Sequence, residues 1–268
     1  MTKIRNWCSK HRIAIPLVLT LLIAFMDVFG FPLAPLIKIE AADINPIYFA
    51  LIGNQIFAIL LCLALVKLLY PKWPLYLGTA GLWKGVKSFG ILVAVSAIIA
   101  FAAFYLGLNP FDNSPTAMRV IIESVIYNIS LAIIEELYVR GLLQNTLRGA
   151  FAKSRRGALY AVLLSSAIFG VGHIPGSIGQ PVLVVIGQVL WTFGLGVFLG
   201  AVYTKTKNLW CAVLFHFAFN LAGVLYCFTT QTGYPTISLA ILIPLFVLLG
   251  VYGAVSLAKE SKTAELRQ

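Results

Sequence analysis

The sequence is short of charge. Asp, Glu, Lys and Arg make up 11% of its 268 residues, against about 25% in ordinary soluble domains. Negative charge is scarcer than positive charge, since there are nine Asp and Glu residues and 20 Lys and Arg residues. With 60% hydrophobic residues and a mean hydropathy of +0.93, this deficit excludes an ordinary soluble domain. It predicts an all-α polytopic membrane bundle, one integral membrane domain over residues 1–268.

Cysteine is scarce as well, and its four positions form neither a Cys-x-x-Cys pair nor a disulfide framework. Three of the four lie in apolar segments, so we expect small core residues at Cys8, Cys62, Cys211 and Cys227. The net charge of +11 could suggest a nucleic-acid partner. The basic residues fall instead in short runs between apolar segments, where they set membrane topology. We therefore expect a lipid bilayer and no nucleic acid.

Apolar runs predict about eight transmembrane helices, near residues 13–31, 46–70, 88–108, 120–147, 158–174, 181–203, 208–229 and 236–258. The first follows a basic start as a signal peptide does, but no convincing cleavage site follows it, so we interpret it as an uncleaved span. Turn-like residues at 109–115 and 230–235 suit outer connections. Inner segments would hold most Lys and Arg, from Lys3 to Arg267, and outer ones Lys38 and Arg119. This asymmetry predicts cytoplasmic termini.

The most unusual stretch is Ile134-Glu135-Glu136-Leu137-Tyr138-Val139-Arg140-Gly141, which carries three charges inside an apolar span. Ionisable groups at such depth are costly, and they usually find partners or face a cavity. On a helix, Glu136 and Arg140 share one face with the acid N-terminal, the better order for an ion pair. Glu135 lies about 100° away and has no such partner. We therefore assign Glu135 to chemistry and Glu136 with Arg140 to its support.

Three more polar residues interrupt apolar helices. His173 ends one segment, and His216 and Asn220 lie one helical turn apart on another. Counting from the inner charged runs at 1.5 Å per residue places Glu135, His173, His216 and Asn220 about 12 to 22 Å deep. Three helices thus bring polar groups to a similar depth, as one shared cavity requires.

Residue type suggests hydrolysis by an activated water. A carboxylate and an imidazole can hold and deprotonate water, and a second imidazole with an amide can stabilise the oxyanion. A metal remains an alternative, with Glu135, His173 and His216 as ligands of a zinc ion, although the sequence contains no His-Glu-x-x-His motif. A non-catalytic immunity or scaffolding protein and a proton-coupled transporter are further alternatives.

Two other features complete the expectations. Asp27 lies near the outer end of the first span, where we expect a solvated, snorkelling side chain rather than a catalytic one. Gly196 and Gly200 have the small-xxx-small spacing of close helix contacts. We expect that contact inside one chain; the oligomeric state stays open.

These residues resemble the motifs of the type II CAAX prenyl endopeptidase and bacteriocin-processing (CPBP) family, also called abortive-infection-like intramembrane proteases. The family pattern is Glu-Glu-x-x-x-Arg, Phe-x-x-x-His and His-x-x-x-Asn or Asp. Its matches in order are Glu135, Glu136 and Arg140; Phe169 and His173; and His216 and Asn220. The resemblance covers about residues 120–225, the expected catalytic core. Val139 departs from it, because an aromatic residue is common before the arginine.

The resemblance implies an intramembrane endopeptidase in which Glu135 and His173 activate water. It implies that His216 and Asn220 form the oxyanion site and that Glu136 and Arg140 assist positioning. Family members have been described both as metalloproteases and as glutamate-dependent. The implied substrate is a membrane-associated peptide or lipidated protein, of CAAX type or linked to bacteriocin processing and self-immunity. The implied location is a bacterial plasma membrane.

Overall fold

A computed structural model describes residues 2–29, 46–108, 118–229, 231 and 234–265. Lys38, Arg267, the expected turn at 109–115 and three residues of the turn at 230–235 lie outside these ranges. Within them the regular structure is entirely helical, which confirms the predicted class. The α-helices are α1 (Thr2–Lys10), α2 (Ala14–Phe29), α3 (Pro46–Leu69), α4 (Leu82–Gly107), α5 (Met118–Glu136), α6 (Asn145–Ala150), α7 (Gly157–Val171), α8 (Val182–Thr206), α9 (Leu209–Asn220) and α10 (Thr236–Glu265). A π-helix covers Leu137–Gln144, and 3₁₀-helices cover Pro175–Ser177 and Leu221–Phe228.

Six segments of the described chain are long and apolar enough to cross a membrane: Ala50–Leu69, Leu82–Gly107, Gly157–Ser177, Val182–Thr206, Leu209–Phe228 and Thr236–Lys259. Helices α1 and α2 would add a seventh if they form one span bent by 95°. Helix α5, which carries Arg119 and three glutamates, is not among the six. A polytopic helical bundle is thus confirmed, while the total of eight spans and the cytoplasmic termini stay predictions.

Glycines let the helices around α8 approach closely. A Cβ atom added at Gly194 would lie 2.4 Å from the Phe246 carbonyl oxygen of α10. One at Gly196 would lie 3.0 Å from Cβ of Ser166 in α7, and one at Gly200 would lie 2.8 Å from Oε1 of Gln144. The Gly196 and Gly200 spacing therefore packs helices within the chain, as predicted.

The segment between α3 and α4 ties distant elements together. Trp73 Nε1 donates to the Gly141 carbonyl oxygen at 2.7 Å, and Asn145 Nδ2 donates to the Pro74 carbonyl oxygen at 2.9 Å. Asn208 caps α9 by accepting from Cys211 N at 2.8 Å, and its Nδ2 donates to the Ala80 carbonyl oxygen at 2.9 Å. These bonds hold the π-helix and the start of α9 against one connection.

All four cysteines, Cys8, Cys62, Cys211 and Cys227, are buried, and none of them forms a disulfide. This confirms the expectation that they are small core residues and not a disulfide framework.

Candidate active site

A cavity of about 460 Å³ lies among α2, α3, α5, the π-helix, α7, α8 and α9. Its wall contains Glu135, His173, His216 and Asn220. The helices thus bring together, in one cavity, the four side chains to which the sequence assigned chemistry. Glu136 and Arg140 are absent from that wall, because both side chains are completely buried behind it.

Glu136 and Arg140 form the ion pair that their spacing predicts. Arg140 Nε lies 3.0 Å from Glu136 Oε2, and neither side chain is exposed. The other carboxylate oxygen, Oε1, lies 2.9 Å from His216 Nδ1. The Arg140 guanidinium carbon also lies 5.4 Å from the centroid of the Phe169 ring, within the range of cation–π contacts. Glu136 therefore neutralises a buried cation and orients a cavity histidine with one carboxylate.

Glu135 lies between two imidazoles. Its Oε2 is 3.4 Å from His216 Nε2, and its Oε1 is 3.9 Å from His173 Nε2. Because Glu136 accepts from His216 Nδ1, and the Phe169 carbonyl accepts from His173 Nδ1 at 2.8 Å, both rings turn Nε2 toward Glu135. One carboxylate thus faces two imidazole nitrogens whose ring orientation is set by partners on the far side.

Phe169 explains the aromatic position in the second motif. Its carbonyl oxygen accepts from His173, four residues later at the end of α7. Its ring packs edge-on against the His173 ring at 4.7 Å between centroids and against the His216 ring at 6.1 Å. The same ring lies beside Arg140. Phe169 therefore spaces the two histidines and covers the buried cation.

The first motif does not continue as a simple α-helix. The sequence predicts one helix over 120–147, whereas α5 ends at Glu136 and a π-helix follows through Gln144. The Gly141 carbonyl inside this turn accepts from Trp73 Nε1 at 2.7 Å and from Asn145 Nδ2 at 3.1 Å. These side chains satisfy a carbonyl oxygen in the wider turn. Short π-helical segments occur frequently at functional sites.

Asn220 ends α9 one turn beyond His216, and the chain then tightens into the 3₁₀-helix Leu221–Phe228. Its Nδ2 is buried and has no hydrogen-bond partner among the described residues. The indole Nε1 of Trp191, another residue of the cavity wall, is also buried without a hydrogen-bond partner among the described residues. Two N–H donors at this wall are therefore left for a ligand.

The structure contradicts the expectation for Asp27. Its side chain lies in the cavity wall with Glu135 instead of snorkelling to solvent, and its Oδ2 accepts from the Tyr138 hydroxyl at 3.4 Å. Its sequence position carries a signal for this placement. Asp27 is 15 residues after Arg12, or about 22 Å along a helix, which is the depth expected for the motif residues. Tyr138, Trp191 and Asn54 also line the cavity, and no sequence motif marked them.

Metal ligation by Glu135, His173 and His216 was the alternative chemistry. Among the residues that the structure describes, no group of three His, Cys, Asp or Glu side chains is arranged to hold a metal ion. The two histidines approach different oxygens of Glu135, at 3.4 and 3.9 Å. This arrangement does not fit a preformed zinc site.

Residues 116–222 match the family model described as Type II CAAX prenyl endopeptidase Rce1-like. The matched segment contains all seven motif residues, so the resemblance inferred from them is confirmed over these residues. No curated protein matches the chain significantly. The matched family is a protease family, which supports a multi-pass membrane protein with intramembrane protease activity.

Proposed function

We propose that this protein is an intramembrane endopeptidase in which Glu135 and His173 activate the attacking water. The observation that carries the proposal is the 3.9 Å separation of Glu135 Oε1 and His173 Nε2 at the cavity wall. A water about 2.8 Å from each atom would subtend roughly 90° between them, so one molecule can donate to both acceptors. That geometry suits proton removal from water as it attacks a carbonyl carbon.

The proposed steps balance without a covalent intermediate. Glu135 takes a proton from the water while the oxygen bonds to the substrate carbonyl carbon. The resulting oxyanion receives hydrogen bonds from Asn220 Nδ2 and from a protonated His216 Nε2. Glu136 holds that ring in place because it accepts from His216 Nδ1. When the tetrahedral intermediate collapses, the C–N bond breaks and Glu135 returns its proton to the leaving nitrogen.

We further propose that the substrate peptide carries an apolar anchor, as a prenylated CAAX peptide does. A second pocket of about 270 Å³ adjoins the cavity and shares Tyr127, Leu131, Trp191, Asn220 and Tyr234 with it. Its remaining wall is largely aromatic and aliphatic, including Phe104, Phe219, Tyr226 and Phe246. Such a wall favours a hydrocarbon chain, with the peptide bond placed at the polar cavity.

The test is hydrolysis of a fluorogenic farnesylated CAAX peptide by the purified protein in liposomes. Glu135→Gln should lower the rate about 10²- to 10⁴-fold, the usual contribution of a general base. Glu123→Gln is the matched control, since this glutamate lies on the same helix and pairs with Arg119 at 3.6 Å, outside the cavity. It should retain the wild-type rate. Full activity of Glu135→Gln would refute the mechanism.

We propose that water activation needs no metal. Dialysis against a strong zinc chelator should leave the hydrolysis rate of the wild-type protein within about twofold, because imidazole and carboxylate suffice as proton acceptors. Loss of activity on chelation, restored by added zinc, would replace this proposal with zinc-dependent chemistry.

A further inference from the structure

One wall of the cavity comes from α2 and α3, outside the three motifs. Thr20, Ala24 and Asp27 line it from one face of α2, and Asn54 and Gln55 line it from α3. Thr20 Oγ1 is satisfied by the Pro16 carbonyl oxygen at 2.8 Å, and Gln55 Oε1 accepts from Ser130. We call Asp27 and Asn54, the two polar residues left, the acceptor pair.

Both members of the acceptor pair have an unused acceptor oxygen. Asp27 Oδ1 and Asn54 Oδ1 are buried and without a hydrogen-bond partner among the described residues. The Tyr138 hydroxyl donates to Oδ2 of the Asp27 carboxylate at 3.4 Å and leaves Oδ1 without a donor among the described residues. The terminal torsion of a carboxylate is broad, so a small rotation turns either oxygen toward an occupant. This wall therefore favours an occupant that donates hydrogen bonds.

Charge strengthens that requirement. The described cavity wall contains the carboxyl groups of Asp27 and Glu135 and no Lys or Arg, and its two histidines, His173 and His216, turn Nε2 toward Glu135. Arg140, which is buried behind the wall, is already compensated by Glu136 at 3.0 Å. An occupant that brings positive charge is thus favoured electrostatically, and it would make the stronger, charge-assisted kind of hydrogen bond.

We infer that Asp27, assisted by Asn54, forms a specificity subsite for a positively charged side chain of the substrate peptide, a lysine ammonium or an arginine guanidinium. The inference rests on the proposed function, because it assumes that a peptide occupies the cavity. Asp27 then selects the substrate, whereas Glu135 carries out the chemistry. A role in which Asp27 only orients Tyr138, or relays protons for Glu135, makes different predictions.

The test measures binding without hydrolysis. In a Glu135→Gln background, fluorescent farnesylated CAAX peptides carrying lysine at one position near the prenylated cysteine are compared with norleucine versions. Fluorescence anisotropy in detergent gives the dissociation constants. With lysine at the position that reaches Asp27, we expect about tenfold tighter binding or more. Adding Asp27→Asn should reduce that preference to about twofold or less, because the amide keeps the shape and loses the charge.

Tyr138→Phe, in the same background, separates the subsite from a positioning role. It removes the hydroxyl that bonds to Asp27 and should preserve the lysine preference. Absence of any lysine preference at all positions scanned, or a preference that survives Asp27→Asn, would overturn the inference. Equal slowing of lysine and norleucine peptide hydrolysis by Asp27→Asn alone, with unchanged binding, would overturn it in favour of a proton relay.

Failure of the subsite is distinguishable from failure of the protease mechanism. If Asp27 governs binding of the charged peptide while the wild-type protein hydrolyses neither peptide, the subsite stands and the proposed function fails. If both peptides are hydrolysed equally and bind equally, the subsite fails and the protease stands. Thermal unfolding of each variant, matched to wild type, confirms that these effects come from the site.

Discussion

Adjacent carboxylates in this protein occupy opposite kinds of surroundings. Glu136 is completely buried and touches two potential cations, Arg140 at 3.0 Å and His216 at 2.9 Å. Glu135 faces a cavity and has no arginine or lysine beside it in the described wall. One helical step of about 100° separates them. That step separates a buried, charge-compensated carboxylate from one that faces the cavity.

The largest expected effect follows from removing the carboxylate of the buried ion pair. Glu136→Gln should destabilise the protein by about 3–5 kcal/mol, because it leaves Arg140 buried without a counter-charge. Glu135→Gln should stay within about 1 kcal/mol of wild type, since it breaks no ion pair with Arg or Lys. Thermal and denaturant unfolding in detergent would measure both. Equal stability of the two variants would show that the two environments do not differ as described.

A double variant sharpens the same contrast. Glu136→Gln with Arg140→Met removes both buried charges and should recover much of the lost stability, because no uncompensated charge remains. It should not recover hydrolysis, since His216 would lose the carboxylate that holds its Nδ1. Recovery of full activity would mean that Glu136 supports folding alone.

The two histidines beside Glu135 provide the next test. His173→Ala should lower the hydrolysis rate about 10²-fold by removing one of two acceptors that hold the water. His11→Ala is the control, because His11 is the one remaining histidine of the chain and is exposed. It should leave the hydrolysis rate unchanged. Steady-state rates on the same peptide would decide, and an active His173→Ala would assign water activation elsewhere.

The smallest expected effect concerns the scaffold of the π-helix. Trp73→Phe removes the donor to the Gly141 carbonyl oxygen, at 2.7 Å, and should cost about 1 kcal/mol. Asn145 still bonds to that oxygen at 3.1 Å, which limits the loss. Trp83→Phe is the control, since that ring is 73% exposed. If the two tryptophan variants unfold alike, Trp73 does not support the turn that carries Arg140.

Much of the site could be predicted because helix geometry is local. The Glu136–Arg140 pair follows from a spacing of four residues, and the common depth of Glu135, His173 and Asn220 follows from a constant rise per residue. The π-helix could not be predicted in this way, because a tryptophan 68 residues away donates a hydrogen bond to its Gly141 carbonyl oxygen. The place of Asp27 could not be read from the motifs, because α2 lies outside them and only helix packing turns this face of α2 toward the cavity.

By itself, the sequence determined the membrane class, the helical content, the internal ion pair and the residues on which the family match rests. These depend on composition and on distances of a few residues. Tertiary structure alone decided that His216 bridges Glu135 and Glu136, that Phe169 separates the histidines and that Asp27 joins the cavity. Those relations join helices far apart in the chain, and packing, unlike helical periodicity, sets which faces meet.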